Sequence, residues 1–228
     1  MRAIHDNLQA VQGRIARAAA AAGRDPRSVT LLAVSKTHPA TLVDEALAAG
    51  QRAFGENYVQ EAVEKMDALA GRGIEWHLIG PLQSNKTRLA AARFDWVHTV
   101  DSGKIARRLS EQRPAGMEPL NVLIQVNVSG EATKGGVAPE GVFSLSESIN
   151  QFPRVRLRGL MAIPEPGAGV ARYRELKNLY EKLKSQFRFD TLSVGMSDDM
   201  EMAIAEGATM VRIGTAIFGP RQRARSVA

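Results

Sequence analysis

Eight times along this chain a short run of apolar, often β-branched residues gives way to a segment of helical period. That alternation limits the fold more than any other feature. After a first strand ending at Lys36, candidate strands lie at 51–55, 74–80, 96–100, 122–128, 157–163, 192–195 and 210–213. Candidate helices lie at 40–49, 56–69, 86–92, 103–112, 139–150, 168–186 and 198–205. A leading segment, 2–22, repeats Ile4, Leu8, Val11, Ile15 and Ala18 on one helical face before Gly23 stops it. Each helix is too long a connection for a hairpin and suits a parallel β-α-β crossover. Eight such units in 228 residues predict an α/β fold, a (β/α)8 TIM barrel slightly shorter than the usual length of about 250. No Gly/Ser-rich linker divides the chain, so one domain over 1–228 is expected. Alternation alone does not demonstrate closure, and a doubly wound open sheet is the alternative.

Composition removes several function classes. The chain has no cysteine, so disulfides, thiolate zinc sites and cysteine nucleophiles are excluded. His5, His38, His77 and His98 are scattered without a His-x-x-x-His pair, so no metal site is expected. No apolar stretch approaches the roughly 20 residues that span a bilayer, and 1–7 has no apolar leader. A cytoplasmic protein without membrane association is expected. The net charge of +6 raises nucleic acid as a partner. The basic residues are dispersed, however, and aromatics make up only 5%. There is no basic-aromatic interleaving of the kind single strands stack on, so no nucleic-acid partner is expected.

In a barrel, chemistry sits where strands run into the following loops. Leu32-Ala33-Val34-Ser35-Lys36 ends in a lysine. Burial lowers a lysine pKa and frees the amine to form a Schiff base with a carbonyl. The bland reading is a strand-end lysine reaching to solvent. After strand seven, Gly195-Met196-Ser197-Asp198-Asp199 turns into a helix with Ser197 as a natural N-cap. After strand eight, Arg212-Ile213-Gly214-Thr215 turns likewise. Loops after strands seven and eight commonly hold phosphate, through backbone N–H groups at helix starts. An amine for an aldehyde opposite a cup for a phosphate matches pyridoxal 5′-phosphate (PLP).

Six motifs in order carry a resemblance over nearly the whole chain. They are Leu32–Lys36, then Phe54-Gly55-Glu56-Asn57-Tyr58-Val59-Gln60-Glu61, and Trp76-His77-Leu78-Ile79-Gly80-Pro81-Leu82-Gln83-Ser84-Asn85-Lys86. Gly159-Leu160-Met161-Ala162-Ile163-Pro164, Leu192-Ser193-Val194-Gly195-Met196-Ser197-Asp198-Asp199 and Val211-Arg212-Ile213-Gly214-Thr215-Ala216-Ile217-Phe218-Gly219 complete the set. The chain resembles the pyridoxal-phosphate homeostasis protein family, single-domain barrels related to those of alanine racemase and the eukaryotic ornithine decarboxylases. The resemblance implies the barrel of PLP fold type III without its C-terminal β domain. It implies PLP held as a Schiff base on Lys36, a phosphate cup of Ser197, Gly214 and Thr215, Arg212 facing the pyridine nitrogen, and Asn57 near the ring.

Each of these residues has a plainer reading. Asn57 could cap the helix that starts near Tyr58, Gly214 could ease packing, and Arg212 could pair with a carboxylate such as Glu56. His77 and Trp76 could line the mouth or pack in the wall. Lys134 is a second loop lysine near the mouth. The resemblance implies that the racemase's opposing tyrosine, supplied by its second, all-β domain, has no counterpart here: the tyrosines are Tyr58, Tyr173 and Tyr180, and the last two fall on an outer helix. The expectation is therefore a PLP carrier serving intracellular vitamin B6 homeostasis, not an enzyme, with apo PLP-dependent enzymes as partners and a monomeric state. The alternative is a PLP-dependent amino-acid racemase or decarboxylase.

Overall fold

A computed structural model describes residues 2–130 and 135–220. The first helix, α1 (Arg2–Ala21), buries Ile4, Leu8, Val11, Ile15 and Ala19, spaced by three or four residues. The barrel then builds as β1 (Thr30–Val34), α2 (Ala40–Ala48), β2 (Ala53–Glu56), α3 (Val59–Ala68), β3 (Glu75–Leu78) and α4 (Thr87–Arg93). It continues through β4 (Trp96–Val100), α5 (Gly103–Gln112), β5 (Leu120–Gln125), α6 (Val142–Asn150) and β6 (Val155–Met161). α7 (Val170–Phe187), β7 (Thr191–Ser193), α8 (Met200–Ala205), β8 (Met210–Ile213) and the short α9 (Thr215–Phe218) complete it.

The strands pair in parallel in chain order, and β1 pairs with β8 at Ala33 and Ile213. That closure excludes the open sheet. The outer helices and the outward strand residues share one large apolar core. Inside the barrel, two smaller apolar clusters face each other. Leu32, Val34, Ala53, Ile79 and Met210 form one, and Trp96, Leu123 and Met161 the other. A polar seam of His77, His98, Ser193 and Arg212 is buried with them. Because α9 is only one turn long, α1 does the work of an outer helix and packs against α2, α8 and α9 across the β8–β1 seam.

The expected boundaries shift in places. The apolar run that suggested a strand at 122–128 leaves the ladder after Gln125, and the fifth strand begins earlier, at Leu120. The expected helix at 198–205 starts at Met200 with Asp199 in the N-cap position. Ser197 is therefore not an N-cap but part of the preceding turn. Asp199 spends its carboxylate on the Met196 N–H and the Tyr173 hydroxyl rather than on the helix's own first turn. No described helix is long and apolar enough to cross a membrane.

Candidate functional site

At the carboxyl ends of the strands lies a cavity of about 410 Å3. Lys36, Asn57, Ser197, Arg212, Gly214 and Thr215 all line it, with Val34, Ile79, Ile163 and Met196 adding apolar wall. All six residues singled out in the sequence thus meet in one space, although they come from the ends of four strands, β1, β2, β7 and β8. Lys36 is half-buried at the mouth.

The segment around Lys36 is held from below by groups the motif reading overlooked. Ser35 is fully buried, and its hydroxyl donates to Glu56 Oε1 at 2.6 Å. Lys65, reaching in from α3, donates to Ser35 O at 2.8 Å, Glu56 Oε1 at 2.7 Å and Glu61 Oε1 at 2.6 Å. Glu61 also accepts the Thr37 N–H at 2.6 Å, with Thr37 in the left-handed region at φ 65°. Both neighbours of Lys36 are therefore tied to one buried ion cluster. Burial pushes the Glu56 carboxyl up, and Lys65 opposes that shift. The cue in the sequence was Lys65 at i+4 from Glu61 on the inner face of α3, a spacing that normally reads as a surface pair.

Arg212 is 5% exposed and donates to Ser193 O at 2.8 Å, Ser193 Oγ at 2.8 Å and Ala162 O at 2.9 Å. Glu56 is taken by Lys65, so the alternative pairing with Arg212 is excluded. Three of the five guanidinium N–H donors are used in these bonds, and two are not. Burial lowers the Arg212 pKa to about 10, against the pull of Asp199. The group remains a cation at neutral pH.

Asn57 does not cap α3, whose N-cap position is Tyr58 and carries no side-chain cap. Its backbone is pressed against the β3–α4 loop, where a Cβ at Gly80 would lie 2.2 Å from Asn57 O. That close approach explains a glycine in the third motif. Gly195 turns the chain at φ 100°, and a Cβ there would sit 2.5 Å from Ala203 Cβ. Gly214 has an ordinary φ of −114°, but a Cβ would crowd Val34 O at 3.2 Å, so tight packing is one reason for glycine here. Thr215, exposed, begins α9, whose first turn leaves backbone N–H groups without intrahelical acceptors.

Trp76 and His77 belong to the wall. Trp76 packs on Phe54, and His77 is fully buried and stacked on Trp96 at 5.2 Å. Lys134 lies outside the described residues. Among the described residues no cluster of three metal-ligating side chains occurs.

The alanine racemase N-terminal domain family matches residues 7–222. The pyridoxal phosphate homeostasis protein of Pseudomonas aeruginosa is 60% identical over 97% of this chain and 97% of its own length. That of Escherichia coli is 54% identical over 97% and 98%. The structure of PipY from Synechococcus elongatus with PLP bound superposes with a TM-score of 0.82 at 38% identity, covering 95% of this chain and all of PipY. Alanine racemase from Corynebacterium glutamicum has a TM-score of 0.68 at 20% identity, and the match spans 63% of that longer chain, a likeness of fold alone. With identity of this degree running almost end to end, the chain belongs to the pyridoxal phosphate homeostasis protein family.

Proposed function

We propose that this protein binds PLP in the cavity at the barrel mouth, holds it covalently at Lys36 Nζ, and serves PLP homeostasis as a carrier rather than as an enzyme. What supports this reading is that a primary amine, a buried cation with two spare donors and a hydroxyl-lined loop pair share one cavity of about 410 Å3. That donor set fits an aldehyde, a ring nitrogen and a phosphate. The relatives carry the homeostasis name, and PipY has been solved with PLP.

When bound, PLP supplies an electrophilic aldehyde on an electron-withdrawing ring. The chain's own residues then divide the work. Lys36 provides the attaching amine. Ser197 and Thr215 would donate to the phosphate, Gly214 lets the turn after β8 pack closely on Val34 of β1, and Asn57 would border the ring. Arg212, always protonated near neutrality, donates at the ring nitrogen and leaves it without a proton of its own, which weakens the ring as an electron sink. The cavity offers Lys36 no opposing tyrosine. Tyr173 is buried and bound to Asp199, with its pKa raised by burial and then by that bond. Tyr58 is 58% exposed and does not line the cavity. A single amine beside a weak sink suits exchange with free amines better than proton delivery to two faces.

Borohydride reduction of the loaded protein should add a phosphopyridoxyl mass to the peptide containing Lys36, and Lys36→Ala should remove the bound absorption band. An adduct mapping mainly to Lys134 overturns the assignment. Incubation with L- and D-alanine, serine, lysine and ornithine, followed by chiral and mass analysis, should show negligible turnover. Multiple turnovers per second on any of these would establish an enzyme instead.

A further inference from the structure

The polar seam inside the barrel is continuous. Arg212 Nη1 donates to Ser193 Oγ at 2.8 Å, Ser193 Oγ lies 3.3 Å from His98 Nδ1, His98 Nε2 lies 2.9 Å from His77 Nδ1, and His77 Nε2 lies 2.8 Å from Glu75 Oε1. His77, His98 and Ser193 are completely buried. Glu75 is the first residue of β3, and its side chain is half exposed. It opens into a cleft of about 280 Å3 at the amino ends of the strands, lined also by Asp95, Arg113 and Asn121. The chain of bonds thus runs from the cofactor cavity to the opposite face.

Only one direction of donation is open to it. A guanidinium can only donate and an ionised carboxylate can only accept. Glu75 therefore requires a proton on His77 Nε2. A neutral His77 then has a bare Nδ1, which requires a proton on His98 Nε2. A neutral His98 has a bare Nδ1 in turn, and the Ser193 hydroxyl must donate to it. Arg212 completes the pattern by occupying a lone pair of Ser193 Oγ while leaving its hydrogen for His98. Burial holds both imidazoles below their ordinary pKa, so neutral rings are the stable form. The His77 hydrogen bond keeps the Glu75 carboxyl ionised to lower pH. The other titratable groups facing the ends are Asp95 and Arg158 at Glu75, and Asp199 and the neutral Tyr173 at Arg212.

We infer that Glu75, His77, His98 and Ser193 are positioning residues that form a one-way hydrogen-bond relay, setting the orientation and donor strength of Arg212 toward the ring nitrogen of the bound cofactor. The inference rests on the PLP reading for its consequence but not for its geometry. If Glu75 loses its charge, the constraint that fixes both tautomers is lifted, and the Ser193 hydroxyl that accepts from Arg212 is free to reorient while the Ser193 and Ala162 carbonyls still hold the guanidinium.

The geometry is tested without any ligand or variant. Nitrogen–proton correlation spectra of the four imidazoles in 15N-labelled, ligand-free protein at pH 7 should show His77 and His98 both neutral with Nε2 protonated. A proton on Nδ1 of either ring, or a cationic ring, overturns the relay. The consequence is tested in loaded protein. Glu75→Gln and Ser193→Ala should weaken PLP and pyridoxal by the same factor, about threefold or more, the range found for coupled networks. An analogue with carbon in place of the ring nitrogen should lose nothing. The double variant should be no weaker than Ser193→Ala alone, and additive losses overturn the coupling. Failure of PLP to attach at Lys36 would sink the functional reading while the tautomers still decide the relay.

Discussion

Lys65 supports the segment that carries Lys36 without lining the cavity itself. Its ammonium is nearly buried, and it satisfies three acceptors, two of them carboxylates, beneath the Ser35–Thr37 backbone. Glu56 Oε2 has no hydrogen-bond partner, so the cluster is already short of donors. Lys65→Met keeps the apolar stem but strands Glu56 in the interior, and removal of one partner of a buried pair costs about 3–5 kcal/mol. Denaturant unfolding should register that loss. In protein still folded at low temperature, attachment at Lys36 should slow, because the amine loses its fixed support. A Lys65→Met variant as stable as wild type would mean that the ion cluster contributes little to the native state.

Among the elements, the corner between β7 and α8 leaves no room for a side chain at its glycine. Gly195 combines φ 100° with a Cβ position 2.5 Å from Ala203. An alanine there meets both backbone strain and overpacking, together about 2–4 kcal/mol. The turn carrying Ser197 would shift with it, so Gly195→Ala should lower the thermal midpoint and weaken PLP more than pyridoxal. Equal stability of variant and parent in a melting experiment would refute the clash. The same corner shows where sequence reading stops. The period predicts the helix there, and a serine before a helical run normally reads as its N-cap. The structure gives the N-cap position to Asp199, and Tyr173 of α7 competes for its carboxylate, a partner 26 residues away that no local pattern reveals. Elsewhere the period was enough. Strands 96–100 and 210–213 and helix 103–112 fall at the expected residues. Their polar or glycine boundaries coincide with the ends of the hydrogen-bond ladder.

Across the whole molecule, the barrel interior combines two apolar clusters with a buried polar seam, and the seam makes stability depend on pH. His77 and His98 both have pKa values below 6.5, chiefly through burial. Below that pH the unfolded chain binds more protons than the folded one, so their contribution is complete above about 6.5 and is lost as pH falls. Urea midpoints should drop between pH 7.5 and 5.5. A His5→Gln control, altered at an exposed position, should drop in parallel with wild type, whereas a variant lacking both buried imidazoles should show a flatter profile. An unchanged wild-type midpoint would contradict neutral buried rings. The seam was invisible in the sequence for a simple reason. His98 meets His77 and Ser193 across 21 and 95 residues, so closure of the barrel, not spacing, makes them neighbours.

The leading helix has a further consequence in time rather than space. The apolar stripe of α1 is covered by α8 and α9, and Asn7 Nδ2 donates to Ile217 O across 210 residues. Translation at about 5–20 residues per second therefore leaves that stripe without its final cover for roughly ten to forty seconds in each round of synthesis. During that interval the nascent chain carries an amphipathic helix with only its α2 neighbour to dock on. Moving this segment to follow α9, a circular permutation across the β8–β1 seam, would deliver the helix and its partners to the growing fold together.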